Sequence, residues 1–363
     1  MDLDAQVRAF VPGRPLAEAS TPPASWYTSP AVDALERTAV FGATWQPVAR
    51  TAQLAEVGDY VAVEVAGEPL LVVRGEQGLV ALSNVCRHKA TPVARGCGRA
   101  RELVCPYHGW RYALDGRLTR APRLGARADF SREALALPRL AVATWGPFVF
   151  VNGDPSAPPL AGQVAGLNES LEARQWSALR WAGTRSWDVA CNWKVFCDNY
   201  LDGGYHIAHM HPSLDAQLAM GTYETRTFDR YSVQASRGAD GLARQEGGAL
   251  YAWLYPNFMI NRYGPVLDTN LVLPLGPDRC RVVFEYFFEA GCDAAFVAAS
   301  MRQTEVTQEE DILVSEQVQV GLGSAGFDRA PYAAPEVGIL HFHELLAADL
   351  RAGLRRAGSG RPR

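Results

Sequence analysis

Cys86-Arg-His88 and, after sixteen intervening residues, Cys105-Pro-Tyr-His108-Gly-Trp110 decide how this 363-residue chain is read. Each half offers one thiolate and one imidazole at the tip of a predicted β-loop, where backbone turns can aim both side chains at one place. Two Cys on one iron and two His on the other form a ligand set for a [2Fe–2S] cluster, and the His pair raises the reduction potential above that of an all-Cys cluster. A structural zinc site uses the same residue types but favours separate Cys-Cys and His-His pairs, whereas each pair here is mixed. Four unrelated core residues is the weaker alternative, because two of only seven His sit beside two of seven Cys.

Working outward, residues 60–65, 69–74 and 79–85 are β-prone runs separated by Ala66-Gly-Glu and Gly75-Glu-Gln-Gly turns, which is hairpin punctuation. Residues 110–114 and 117–119 flank Asp115-Gly116 as another hairpin, and 148–151 closes an all-β region. The turn-rich stretch 153–159 marks a domain boundary. Beyond it, 191–211 reads as helical, 223–289 supplies several long strands, and 293–320 reads as one long helix. Val306, Leu313 and Val320 recur there at heptad spacing, which predicts a face packed on a sheet. Residues 1–30 hold five prolines and little periodicity, so they read as an extended arm. The expected division is an arm at 1–40 that packs with the second domain, a β-domain at 41–155, that second domain at 156–350 and a disordered tail at 351–363, giving an α+β fold.

Composition excludes several classes. A formal charge of −4 gives no basic field for nucleic acid or an anionic membrane. No run approaches the roughly 20 apolar residues that span a bilayer. Seven scattered cysteines and no signal-like amino terminus predict a cytoplasmic protein. Gly321-Leu-Gly-Ser-Ala-Gly326 fits a dinucleotide fingerprint but follows a helix rather than a strand, so it reads as a helix end and loop.

The Cys-x-His and Cys-x-x-His strings, down to Cys-Pro-Tyr-His-Gly-Trp, resemble the Rieske non-haem iron oxygenase family. The second half is similar to its choline monooxygenase branch, in Cys191-Asn-Trp-Lys-Val-Phe-Cys-Asp-Asn-Tyr-Leu-Asp-Gly-Gly-Tyr-His206 and Tyr255-Pro-Asn-Phe-Met-Ile-Asn-Arg-Tyr-Gly-Pro265. The resemblance implies a Rieske β-domain joined to a catalytic domain with an antiparallel sheet and packed helices, of the helix-grip, START-like type. It implies a [2Fe–2S] cluster on Cys86, His88, Cys105 and His108, one Fe(II), and O2 as co-substrate. Electrons would come from NAD(P)H through a separate reductase or ferredoxin, and the assembly would be a homotrimer or stacked trimers.

A mononuclear iron site needs two His and one carboxylate on one face, and three His lie in Tyr205-His206-Ile-Ala-His209-Met-His211-Pro212. On an ideal helix His206 and His209 lie about 60° apart and His206 and His211 about 140° apart, which favours His209. The family pattern instead selects His206 and His211, and Gly203-Gly204 and Pro212 argue against a continuous helix. By the same resemblance the third ligand is Asp311, within Glu309-Glu-Asp-Ile-Leu-Val-Ser-Glu316, although a charge run is commonly a solvated face. Many relatives place an acidic residue three positions before the first His ligand to couple the two metal sites. That position is Gly203 here, which leaves Asp202 and Asp198 as alternatives.

The branch resemblance implies a quaternary ammonium substrate, and aromatic residues near these motifs could form a cage for it: Tyr200, Tyr205, Trp253, Tyr255, Phe258 and Tyr263 are the candidates, with Tyr251 in the same stretch. Aromatics at alternating strand positions equally form core. The expected activity is hydroxylation of a small substrate as a terminal oxygenase component. Aromatic-ring dioxygenation and oxidative demethylation are the alternatives within the class, and a non-enzymatic Rieske electron carrier is the distant one.

Overall fold

The hairpins expected around the Cys/His loops form an antiparallel sheet. In a computed structural model describing residues 2–125, 130–237 and 248–358, the strands of this part are β1 (Gln46–Arg50), β2 (Asp59–Val65), β3 (Glu68–Gly75), β4 (Gly78–Ser83), β5 (Cys97–Arg99), β6 (Leu103–Val104), β7 (Arg111–Tyr112), β8 (Leu118–Arg120), β9 (Arg139–Trp145) and β10 (Phe148–Asn152). One sheet runs β1-β10-β9-β4-β3-β2-β5, and β6-β7-β8 makes a second, three-stranded one. Ala66 and Gly67 both take positive φ between β2 and β3, the backbone that lets a two-residue turn follow the strands' twist. Leu71, Val73, Leu82, Leu103, Trp110, Tyr112, Leu118 and Leu137 form the core, and Cys86 and Cys105 are buried in it.

This part is one compact unit, Phe41–Gly162; the other joins Met1–Val40 to Gln163–Arg363. In the second unit β11 (Arg180–Val189), β12 (Glu224–Thr227), β13 (Tyr231–Ser236), β14 (Ala249–Leu254), β15 (Phe258–Tyr263), β16 (Val266–Gly276) and β17 (Arg279–Phe288) make one antiparallel sheet, ordered β11-β17-β16-β15-β14-β13-β12. The Trp193–Tyr200 helix packs between β16 and the long Ala294–Leu322 helix. A buried ion pair, Lys194 Nζ to Glu36 Oε1 at 2.7 Å, ties that short helix to the Pro30–Ala39 helix, and Trp193 Nε1 donates to the same carboxylate. Breaking such a buried pair from one side leaves an uncompensated charge worth about 3–5 kcal/mol of destabilisation.

Four expectations are corrected. The amino-terminal arm is not simply extended: it carries the Leu3–Arg8, Ser25–Thr28 and Pro30–Ala39 helices, with Asp2 accepting from the Ala5 N–H as an N-cap. The expected disordered tail is helical as far as Gly358, the end of the Val337–Gly358 helix; residues 359–363 lie outside the described residues. Residues 191–211 are not one helix but Trp193–Tyr200, a turn, and Ile207–Met210.

The fourth correction concerns the Ala294–Leu322 helix, whose heptad face points the other way. Val306, Leu313 and Val320 are exposed, whereas the buried residues of this helix are Ser300, Met301, Gln308 and Ser315. A helix that turns mainly polar residues inward is serving a cavity rather than an apolar core.

Candidate metal centres and substrate cavity

The two Cys/His loops are closed by their own backbones. Cys86 accepts the Ala90 N–H and donates its own to Thr91 O, while Cys105 accepts the Gly109 N–H and donates to Trp110 O. Gly109 turns the second loop with φ of +69°, a conformation glycine adopts without strain. The result brings the His88 and His108 rings to 4.6 Å between centroids, with His88 stacked on Trp110 at 4.9 Å. Cys86 Sγ lies 3.4 Å from the Tyr112 hydroxyl. Burial pushes the Cys105 thiol pKa up, and a coordinating metal would favour its thiolate. Burial, with the nearby His108 and Lys89, lowers that of His88. The His88 Nδ1 atom is buried with no hydrogen-bond partner among the described residues. A neutral imidazole with a free buried nitrogen beside two buried thiols fits a cluster's ligand set.

The second centre is assembled from two distant segments. Ligand atoms of His206, His211 and Asp311 all lie within 4.8 Å of one another. Asp311 Oδ1 is 3.0 Å from His211 Nε2 and 3.7 Å from His206 Nε2, and it accepts from Asn199 Nδ2 at 2.7 Å. The other nitrogen of each ring is held by a different carboxylate: His206 Nδ1 by Asp202 at 2.6 Å and His211 Nδ1 by Glu310 at 2.5 Å. Both rings therefore turn Nε2 toward Asp311, and a carboxylate behind each His fixes tautomer and orientation in the manner of metal-ligating histidines. Two His and one carboxylate leave other positions of an Fe(II) open. Burial alone lowers the His211 pKa, but Asp311 and Glu310 outweigh it and push it up to about 9.

Helix geometry favours His209, but the chain here does not keep a helical track. His211 takes φ −123° and ψ +67°, ending the Ile207–Met210 helix, and Pro212 starts the next. The chain leaves its helical track, so His211 swings to the side of His206 and His209 stays exposed. The preceding turn is just as constrained. Gly203 and Gly204 have φ of +73° and +76°, and a Cβ on Gly203 would meet Pro335 O at 2.2 Å. No side chain fits at this position, where the resemblance leads one to expect an acid. Asp202 instead accepts the N–H groups of Gly204, Tyr205 and His206 as well as the His206 ring. Asp198 stands apart from this cluster: it accepts from the Tyr27 hydroxyl at 2.7 Å and lies 3.0 Å from His343 Nε2.

A cavity of about 130 Å³ opens beside the three ligand residues. Tyr200, Tyr223, Tyr251 and Tyr263 line it, with Tyr251 centred 6.4 Å from Tyr223 and 6.5 Å from Tyr263. Burial holds the Tyr200 and Tyr223 hydroxyl pKa values well above the ordinary range, so these rings stay neutral. Asp268, itself buried, accepts from Asn261 Nδ2 at 2.7 Å and from the Tyr263 hydroxyl. Asn261 in turn accepts from the Tyr200 hydroxyl at 2.8 Å.

Of the six aromatic candidates, Tyr200 and Tyr263 line this cavity and the other four do not. Tyr205 is 64% exposed. Trp253 shares the strand face of Tyr251 but sits nearer the end of β14, packed on Phe342 at 5.3 Å, with its indole N–H bonded to Pro256 O. Tyr255 lies past the strand end, also against Phe342, with the Arg230 guanidinium 4.5 Å from its ring centre. Phe258 alternates to the opposite face from Asn261 and Tyr263. Sequence reasoning missed Tyr223, Asp268, Asn199, Glu310 and Gln308. The available signal was polar residues at alternating positions of β15 and β16, namely Asn261, Tyr263, Asp268 and Asn270, inside strands otherwise composed for burial.

The family described as the ring hydroxylating alpha subunit (catalytic domain) matches residues 176–352, and the Rieske [2Fe-2S] domain matches 44–141. The chain is 41% identical to the chloroplastic choline monooxygenase of Arabidopsis thaliana, over 96% of this chain and 87% of that one. It is 31% identical to the carnitine monooxygenase oxygenase subunit of Escherichia coli K12, over 91% and 94%. A crystal structure of a quaternary ammonium Rieske monooxygenase in complex with substrate L-carnitine superposes with a TM-score of 0.80 at 26% identity, covering 93% of this chain and 99% of the other.

Proposed function

Since the chain belongs to the Rieske non-haem iron oxygenases, in the branch that holds the choline and carnitine monooxygenases, we propose that it hydroxylates a small quaternary ammonium compound as the terminal oxygenase component of an electron-transfer system. The observation that carries this reading is the cavity beside His206, His211 and Asp311: neutral tyrosine faces, a buried Asp268 carboxylate, and no Lys or Arg among the described residues that line it. A trimethylammonium group cannot donate strong hydrogen bonds, but ring faces attract it through their quadrupole, by about 2 kcal/mol when desolvated. The Asp268 carboxylate lies among them, accepting from Asn261 and Tyr263.

In this reading Cys86, His88, Cys105 and His108 hold the cluster, and His206, His211 and Asp311 hold Fe(II). When bound, the two groups supply single-electron transfer and O2 activation. Asp202 and Glu310 keep both rings aimed, Asn199 fixes the Asp311 carboxylate, and the tyrosines place the substrate. The overall change consumes O2, two electrons and two protons, converts one C–H to C–OH and releases one water. The electrons come from NAD(P)H by way of a separate reductase or ferredoxin, with the chain assembled as a trimer or stacked trimers. Asp202 is the better candidate to couple the metal sites than Asp198, because it contacts a proposed iron ligand directly.

Calorimetric titration with choline and its neutral isostere 3,3-dimethylbutanol tests the reading. Choline should bind about 30-fold more tightly, the equivalent of the cation–π contribution. Equal affinity would remove the cation cage, and conversion of an aromatic panel instead of quaternary amines by the enzyme with a compatible reductase would replace the reading by ring dioxygenation.

A further inference from the structure

Gln308 is 1% exposed and lines the cavity, yet neither its Oε1 nor its Nε2 has a hydrogen-bond partner among the described residues. Buried side-chain polar groups in native proteins are overwhelmingly paired, so an amide unmatched at both ends calls for a function. Its position is informative. It lies three residues before Asp311 on the Ala294–Leu322 helix, so the two share one face and the amide stands a single turn from the ligand cluster. Thr304 and Thr307 line the cavity from the same helix.

We propose that Gln308 is a specificity-determining residue whose amide reads a neutral polar group on the substrate, so that the site prefers a quaternary ammonium bearing a hydroxyl to one bearing a carboxylate. This rests on the quaternary ammonium reading given above. An amide presents one acceptor and a donor NH2 side by side, and a hydroxyl can answer both, donating to Oε1 and accepting from Nε2. A carboxylate answers only the donor and leaves Oε1 facing an oxygen of like charge.

The rest of the cavity reinforces the preference. Its charged lining residues, among those described, are Asp202, Asp268 and Asp311 beside His206 and His211, with no Lys or Arg. Asp268 is already engaged by Asn261 and Tyr263, and Asp202 and Asp311 by the two histidines. A zwitterionic betaine would bring a fourth carboxylate into this space with no Lys or Arg among the described lining residues to meet it, and like-charged groups brought together in a partly buried site repel. A substrate with one positive charge and one hydroxyl meets aromatic faces, Asp268 and the Gln308 amide in the one cavity.

Titration of the holoenzyme with choline, propyltrimethylammonium and glycine betaine tests this. Choline should bind about tenfold more tightly than either of the others, the effect of one neutral hydrogen bond set against the missing hydroxyl or the added charge. In Gln308→Met, which keeps the side chain's length, choline should fall to the affinity of propyltrimethylammonium while the latter changes less than about threefold. Equal binding of choline and propyltrimethylammonium by the wild type, or tightest binding of glycine betaine, would overturn the role of Gln308 and leave the quaternary ammonium reading standing. If none of the three binds in the millimolar range, that underlying reading falls, and this proposal with it. The wild-type comparison decides even where the variant does not fold.

Discussion

The two candidate metal centres are built in opposite ways. Cys86, His88, Cys105 and His108 come from two short loops of one β-unit, each closed by its own backbone hydrogen bonds. His206 and His211 sit in a broken helical turn, and Asp311 comes from a helix one hundred residues beyond His211. Loop-closure entropy does not forbid the second design, since lengthening a loop from seventeen to one hundred residues adds only about 1.5 kcal/mol. What differs is the supporting structure. The first centre is held by its loops, whereas the second also depends on Asp202, Glu310 and Asn199 to aim side chains that come from segments far apart in sequence. Local support is readable as a motif; distributed support is not.

If the two centres are independently supported, removing a ligand from one should spare the other. His108→Ala should abolish the visible spectrum of the cluster while iron at the second site is retained. Asp311→Ala should leave that spectrum intact and lower turnover by at least about a thousandfold, since a two-His site lacks the carboxylate that completes the ligand triad. Absorbance and iron analysis on the same two preparations check both outcomes. Loss of the cluster in Asp311→Ala, or normal turnover by it, would break the contrast.

A smaller effect sharpens it. Glu310→Gln removes the carboxylate behind His211 but keeps an amide of the same length, so iron affinity or activity should fall by about 10- to 100-fold. The cluster spectrum should be unaffected. An unchanged iron dissociation constant would mean that His211 is positioned by the Pro212 turn alone.

The same contrast explains what the sequence revealed. The strands and turns around Cys86 and Cys105 were legible because β-periodicity, turn residues and ligand spacing coincide within about sixty residues. The α+β class and the long 293–320 helix were legible as well. The facing of that helix was not: its heptad of Val306, Leu313 and Val320 is exposed, and its inward face carries Gln308 and Asp311, because that face serves a ligand cavity rather than an apolar core. His211 escaped helical geometry for a comparable reason, since its backbone leaves the helix at the residue whose side chain matters. Trp253, Tyr255 and Phe258 read as cage residues from composition, yet strand alternation and the Phe342 contact commit them to core. Asp311 itself was singled out by resemblance alone.

Metal and sulfide analysis of the anaerobically purified chain tests the central claim most directly. Two centres of the proposed kinds require about three irons and about two acid-labile sulfides per chain, in a red-brown protein. A colourless protein with zinc in stoichiometric amount on Cys86, His88, Cys105 and His108, and no labile sulfide, would contradict it.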